Sequence, residues 1–294
     1  MSPRFGRVIT AMVTPFDDDG ALDLDGAAVL ADWLVTNGSD GLVLCGTTGE
    51  SPVLSDSEEI ALTRAVRAAV GVPILLGTGS NDTSYAVEAT RRAAELGVEG
   101  VLVVSPYYNR PPQSGLDVHF RAIAAATELP VVLYDIPVRT GRKISTDLLV
   151  RLCTEVPNIV GLKDAAANAT ETARVVADTP ADFEVYAGDD AWTLPMMAVG
   201  AVGIISVAAH WAAPEMSEMI AAFERGDHTK AWELNALLLE SYDFEGNDLT
   251  PNPLPAKAMM RVLGQPAGQC RLPMGPAPAG LEQRALEVWN HLHG

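Results

Sequence analysis

Eight short apolar runs recur along the chain, each followed by a longer stretch whose apolar positions repeat every three or four residues. The runs are Val8–Val13, Gly41–Cys45, Pro73–Gly77, Gly100–Val104, Pro130–Tyr134, Ile159–Lys163, Phe183–Ala187 and Ala201–Ser206. They are rich in Val, Ile and Leu and almost unbroken by polar residues. Strands buried on both faces read this way, and such strands belong to parallel sheets.

The segments between them read as helices. Asp25–Asn37 carries Ala27, Leu30, Ala31 and Leu34 on one stripe. Ser55 and Glu58 form a capping box ahead of a helix that runs towards Ala69. Thr83–Leu96 closes at Gly97, a residue suited to a C-cap. Gly115–Thr127, Ser145–Glu155, Ala169–Ala177 and Ala191–Val199 continue the alternation. Spacings of roughly 18 to 33 residues between strands suit repeated βαβ units.

The pattern predicts an α/β fold, a (β/α)₈ TIM barrel. An open doubly wound sheet is the alternative. It usually carries a Gly-rich first turn, and TPFDDDG is not one. Further helices are predicted at Pro214–Arg225, His228–Glu240, Leu254–Leu263 and Gly280–Leu292. A barrel needs one closing helix, so the expected division is a catalytic barrel over residues 1–225 and an α-helical C-terminal region over 226–294. FEGNDLTPNPLP (244–255) reads as a loop.

A net charge of −18 makes nucleic acid or an anionic membrane surface an improbable partner. A small anionic substrate would need a locally positive pocket. Three widely spaced cysteines, with no CxxC, fit a reducing compartment and no disulfide framework. Neither a signal-peptide h-region nor a run of about 20 apolar residues is present. The expected location is the cytoplasm, with no metal site and no cofactor.

In a barrel, chemistry gathers where strands end. Ile159-Val160-Gly161-Leu162 ends in Lys163. A lysine against apolar walls tends towards its neutral form, which can attack a ketone to form a Schiff base; the alternative is a snorkelling lysine at the surface. Tyr134 ends the neighbouring run and offers a phenol for proton transfer, or a ring for packing. Thr47-Thr48, between Gly46 and Gly49, offer hydroxyls and backbone N–H groups to a carboxylate, or merely a turn. Arg139 follows Tyr134 in a Pro/Gly loop and is suited to a bidentate carboxylate contact. Tyr107-Tyr108 lie in a Pro-rich loop and suit packing or a partner chain. GTGSND (77–82), Asp189-Asp190 and His210-Trp211 read as structural.

Together GTTGES (46–51), SPYYNRP (105–111), YDIPVRTG (134–141), GLKDA (161–165) and AGDDA (187–191) resemble the pyruvate-dependent class I aldolase superfamily, which includes dihydrodipicolinate synthases and N-acetylneuraminate lyases. The resemblance runs from TAMVTPF (10–16) to NPLPAK (252–257). It implies that Lys163 forms the Schiff base with pyruvate and that Tyr134 relays protons. Thr47 would link Tyr134 to Tyr108 of a neighbouring subunit, which implies a homo-oligomer. Thr48 would bind the pyruvate carboxylate, and Gly188 and Ile205 would line the pyruvate pocket. YDIPVRTG favours the synthase branch, with Arg139 on the carboxylate of aspartate semialdehyde. The alternatives are another pyruvate lyase acting on a sugar acid or hydroxy-oxo acid, and a non-catalytic metabolite-binding paralogue. Asp135 stands where many relatives have Asn.

Some relatives bind lysine as a feedback inhibitor, near positions matching Ser51, Pro52, Asn81 and Tyr107. The acidic side chain that holds its ammonium there corresponds to Tyr85. Asp56 and Glu59 replace histidines often found across that site. The resemblance therefore implies weak or absent inhibition by lysine.

Overall fold

The computed structural model describes residues 3–294. The strands are β1 (Val8–Ala11), β2 (Gly41–Leu44), β3 (Ile74–Gly77), β4 (Gly100–Val104), β5 (Val131–Asp135), β6 (Ile159–Asp164), β7 (Glu184–Ala187) and β8 (Gly203–Ser206). They close into a barrel in sequence order, as the alternation predicts. Nearly every strand residue is buried, which is why the runs lack a polar face.

The helices are α1 (Leu24–Thr36), α2 (Asp56–Ala69), α3 (Thr83–Ala94), α4 (Gln113–Ala124), α5 (Pro137–Thr140), α6 (Thr146–Glu155), α7 (Ala169–Asp178), α8 (Thr193–Met197), α9 (Ala209–Glu224), α10 (His228–Phe244), α11 (Leu254–Val262) and α12 (Leu281–His293). The capping box on α2 forms as read: Ser55 Oγ accepts from the Glu58 N–H, and the Glu58 carboxylate accepts from the Ser55 N–H. α9 starts at Ala209 rather than Pro214. A proline inside a helix lacks the N–H that the preceding turn needs, so the helix kinks at Ala212 instead of beginning at the proline. The predicted helix at Ala191–Val199 is a 3₁₀ turn, Asp190–Trp192, followed by the short α8. α5 was not expected, although Pro137 at its first position and Gly141 just beyond its end are ordinary start and stop signals.

The chain divides into two compact units, one spanning Pro73–Ile205 with the residues up to Gly6, the other Arg7–Val72 with Ser206–Gly294. The first holds β3 to β7, most of β8, and α3 to α8. Its decisive detail is a bulge. Val131 pairs with Ile159 but Val132 pairs with Gly161, so Val160 is skipped, and Tyr134 comes to face Lys163 instead of Leu162. Gly161 is needed beside the bulge, since a Cβ there would lie 2.8 Å from the Glu184 carbonyl oxygen.

The second unit holds β1, β2, α1, α2 and α9 to α12. His210 and Trp211 are structural there. His210 Nδ1 donates to the Val207 carbonyl at 2.7 Å, which leaves Nε2 to accept the Val13 N–H at 3.1 Å. Trp211 Nε1 donates to Ser241 Oγ at 3.0 Å.

Candidate active site

Alternation along a strand decides which side chains enter the barrel. Asp164 faces outwards, where it accepts the Thr172 hydroxyl of α7 at 2.7 Å and the Ala166 N–H at 3.0 Å. Lys163, one residue earlier, therefore faces inwards. Asp135 likewise turns outwards to the Ile144 N–H at 3.2 Å and Lys143 Nζ at 3.4 Å, so Tyr134 turns inwards. The register then places the two inward side chains side by side. Lys163 is 5% exposed, and its Nζ lies 4.4 Å from the Tyr134 ring centroid.

Gly188, just beyond β7, completes this cluster. A Cβ on it would lie 2.9 Å from Lys163 Cγ and 3.0 Å from Ala165 Cβ. A larger residue would thus displace the lysine stem. The Gly188 N–H donates to the Asp164 carbonyl at 2.8 Å, which ties the end of β7 to β6. Ile205 is buried on β8, whose Ile204 pairs with Ala187. Tyr186 also pairs with Lys163, but its hydroxyl donates back to Glu184 at 2.8 Å. Burial and the Glu184 charge push that phenol well above its ordinary range.

The chain has four lysines. Lys143 pairs with Glu171 at 2.8 Å and Asp135 at 3.4 Å. Lys257 is buried against Glu50 at 2.6 Å. Lys230 is exposed near the start of α10. Lys163 is the one set on a strand end among inward-facing groups.

Arg139 is exposed on α5. The segment around it is braced: Arg110 Nε donates to the Gly141 carbonyl at 2.7 Å and Gln113 Nε2 to the Lys143 carbonyl at 2.8 Å. Tyr108 is 91% exposed, with φ +72°. The structure therefore does not bring Tyr108 to Lys163 within this chain. A bulky residue in left-handed backbone geometry is uncommon, and here its ring stands exposed to solvent.

Thr47 and Thr48 belong to the second unit, on the turn after β2. That turn is locked within its own unit. The Glu50 N–H donates to the Thr47 carbonyl at 3.1 Å, and Thr14 Oγ1 to the Gly49 carbonyl at 2.6 Å. Glu50, at φ +57°, has both carboxylate oxygens engaged: Oε1 lies 2.6 Å from Lys257 Nζ and Oε2 accepts the Arg271 N–H at 2.9 Å. Lys257 Nζ also donates to the Gln269 carbonyl at 3.0 Å and sits over the Phe16 ring at 4.1 Å. Arg271 extends the network to Glu58, whose carboxyl it holds down to about 2. Asn252 Nδ2 donates to Thr48 Oγ1 at 2.9 Å. The sequence reading missed Asn252, which lay in a segment read only as a loop; the available signal was its place between two prolines directly ahead of α11.

Other motifs hold structural posts. Asp82 of GTGSND caps α3 through the Ser84 and Tyr85 N–H groups. Asp189 caps the turn that follows β7. Tyr85 lies on α3 with the Arg92 guanidinium 5.8 Å above its ring. In the other unit, Ser51 Oγ donates to Glu59 at 3.3 Å.

Asp135 carries a consequence for stability. Burial raises its carboxyl from 3.8 to about 6, against the pull of Lys143. The folded chain thus holds this proton more tightly than the unfolded chain does. Ionisation costs the fold nothing below the unfolded value, and the cost grows until the pH passes about 6. Asp135→Asn is therefore expected to raise the melting temperature at pH 8, for a gain in stability on the order of 3 kcal/mol at most, and to raise it much less at pH 5. Equal shifts at both pH values would contradict this.

The model of the dihydrodipicolinate synthetase family matches residues 4–288. The chain is 50% identical to a 4-hydroxy-tetrahydrodipicolinate synthase of Moorella thermoacetica, over 92% of each chain. It is 49% identical to the enzyme of that name from Thermosynechococcus vestitus, over 93% of this chain and 92% of the relative. Among solved structures, a lysine-bound dihydrodipicolinate synthase from Cyanidioschyzon merolae superposes with a TM-score of 0.96 at 43% identity, covering 99% of both chains. One from Bacillus anthracis gives 0.94 at 44% identity, covering 98% of both. With the barrel and the paired Lys163 and Tyr134 already in place, these likenesses lead to one conclusion: the chain belongs to the dihydrodipicolinate synthetase family.

Proposed function

We infer that this protein is a lyase that condenses pyruvate with L-aspartate 4-semialdehyde to give 4-hydroxy-tetrahydrodipicolinate, a step of diaminopimelate and lysine biosynthesis. The observation that carries this reading is the buried Lys163 amine held beside the Tyr134 ring, with Gly188 leaving room for the lysine stem.

The chemistry follows from an amine in that position. Lys163 Nζ attacks the keto carbon of pyruvate, and loss of water gives an imine. The protonated imine withdraws electrons, so a methyl proton leaves and an enamine forms. The enamine carbon attacks the aldehyde of the second substrate. The amine of that substrate then closes the ring on the imine carbon and releases Lys163. Tyr134 is proposed to move protons to and from the amine and the substrate oxygens. Thr48 is proposed to take the pyruvate carboxylate, Thr47 to serve the proton relay, and Gly188 and Ile205 to line the pyruvate pocket.

Tyr108 is proposed to act in a neighbouring copy, which makes a homo-oligomer the working form; its exposed ring, on a residue of left-handed backbone, supports that role. Among the described residues no helix is long and apolar enough to cross a membrane. The three cysteines are free and buried, which supports a reducing, cytoplasmic compartment.

The direct test is turnover by the purified protein with pyruvate and aspartate semialdehyde, beside a panel of sugar acids and hydroxy-oxo acids offered for cleavage. Faster cleavage of a panel member would overturn the synthase reading. Arg139→Ala is expected to raise KM for aspartate semialdehyde roughly tenfold to a hundredfold, the scale of a lost charge-assisted carboxylate contact. Borohydride trapping of pyruvate should survive in this variant, and normal kinetics with both substrates would remove Arg139 from the site. Weak or absent inhibition by lysine is also expected, because Tyr85 offers no charge to an ammonium. Half-inhibition at sub-millimolar lysine would contradict it.

A further inference from the structure

We propose that Asn252 is a positioning residue that fixes the hydroxyl of Thr48 as a hydrogen-bond donor, and so sets affinity for pyruvate. The proposal rests on the reading of Thr48 as the group that takes the pyruvate carboxylate.

Thr48 is 3% exposed, and among the described residues its hydroxyl has one hydrogen bond, from Asn252 Nδ2 at 2.9 Å. A hydroxyl has one proton to give and two lone pairs. With a lone pair occupied by the Asn252 amide, the Thr48 proton is directed elsewhere. That is the state a carboxylate needs, since a carboxylate only accepts. A Thr48 hydroxyl that spent its proton on a protein acceptor would instead turn a lone pair towards the substrate anion.

The segment that carries the amide is itself anchored to the same turn. Asn252 stands just ahead of α11, and Lys257 on that helix closes the buried ion pair with Glu50. The helix and its leading residue thus grip the GTTGES turn at two points, the Thr48 hydroxyl and the Glu50 carboxylate. Arg271 adds a third hold, on Glu50 and on the Val53 carbonyl at 2.9 Å. Removing the Asn252 amide leaves this backbone anchoring intact, so the effect on Thr48 can be read apart from the fold. Asn252 Oδ1 is itself buried and without a hydrogen-bond partner among the described residues. The amide therefore acts towards the turn through its N–H group alone.

The test compares Asn252→Ala, Asn252→Asp and Thr48→Val, each alone, and Asn252→Ala combined with Thr48→Val. The readings are KM for each substrate, half-saturation for pyruvate in borohydride trapping, and melting temperature. Asn252→Ala should raise both pyruvate measures roughly fivefold, the scale of one lost neutral hydrogen bond. Asn252→Asp is near in shape but can only accept and adds negative charge, so the rise should reach about tenfold or more. KM for aspartate semialdehyde should stay within about twofold, and Asn252→Ala should add nothing in the Thr48→Val background. Asn252→Asp with normal pyruvate affinity would overturn the proposal, because it would mean that Thr48 donates to residue 252. So would a lowered melting temperature with unchanged pyruvate KM, which marks a purely structural residue. If Thr48→Val leaves pyruvate KM unchanged, the reading of Thr48 fails and the proposal with it. If Thr48→Val raises that KM while both Asn252 variants do not, the proposal alone fails.

Discussion

Lys163→Ala is expected to lose all covalent capture of pyruvate. Intact mass after pyruvate and borohydride should show one reduced pyruvyl group on the wild-type chain and none on the variant. Turnover should fall by on the order of 10⁶, the scale seen when a covalent enzyme loses its nucleophile. The chain has few amines that could substitute. Lys143 and Lys257 are committed to carboxylates, and Lys230 lies exposed on α10. Lys257 serves as an internal control, because it too is buried, and burial lowers its ammonium below the ordinary range. Its Nζ is held by Glu50, the Gln269 carbonyl and the Phe16 ring, so burial alone does not make it reactive. A label that persists in Lys163→Ala, or that maps to Lys257, would sink the assignment.

Tyr134→Phe should fold normally and turn over roughly 10²–10⁴ more slowly, the usual range for general acid–base catalysis. The ring is what packs: it is buried and lies beside the Lys163 amine. Phenylalanine keeps that ring and removes only the hydroxyl, so a large loss reports on proton transfer rather than on packing. Imine formation requires a proton to leave the amine and water to depart from the carbon. The rate of borohydride-trappable imine formation should therefore fall along with overall turnover. A loss of less than about tenfold would make Tyr134 a packing residue.

These two residues mark how far sequence reading reaches and where it stops. Lys163 was legible because an apolar run ended in a cation, which requires either the surface or a special site. Tyr134 was legible as a phenol at the end of the neighbouring apolar run. That they face one another was not legible. Continuous apolar runs carry no alternation from which to read a register. The skipped residue, Val160, leaves no mark in the pattern, yet it puts Lys163 opposite Tyr134. Arg139 could be placed after its strand, but the segment just beyond its short helix is braced by Arg110, in the loop after β4, and by Gln113, at the start of α4.

The hydrophobic period and the caps determined the strand and helix order, and the motif set determined the family, because both are properties of neighbours along the chain. Asn252 shows what only tertiary structure decides. Its amide meets a hydroxyl two hundred residues away in sequence, at 2.9 Å. Glu50 and Lys257 likewise form a buried pair between the two sequence segments of the second unit. Local pattern cannot report such pairs. A buried polar group is defined by what closes around it, and those partners are chosen by how the chain packs.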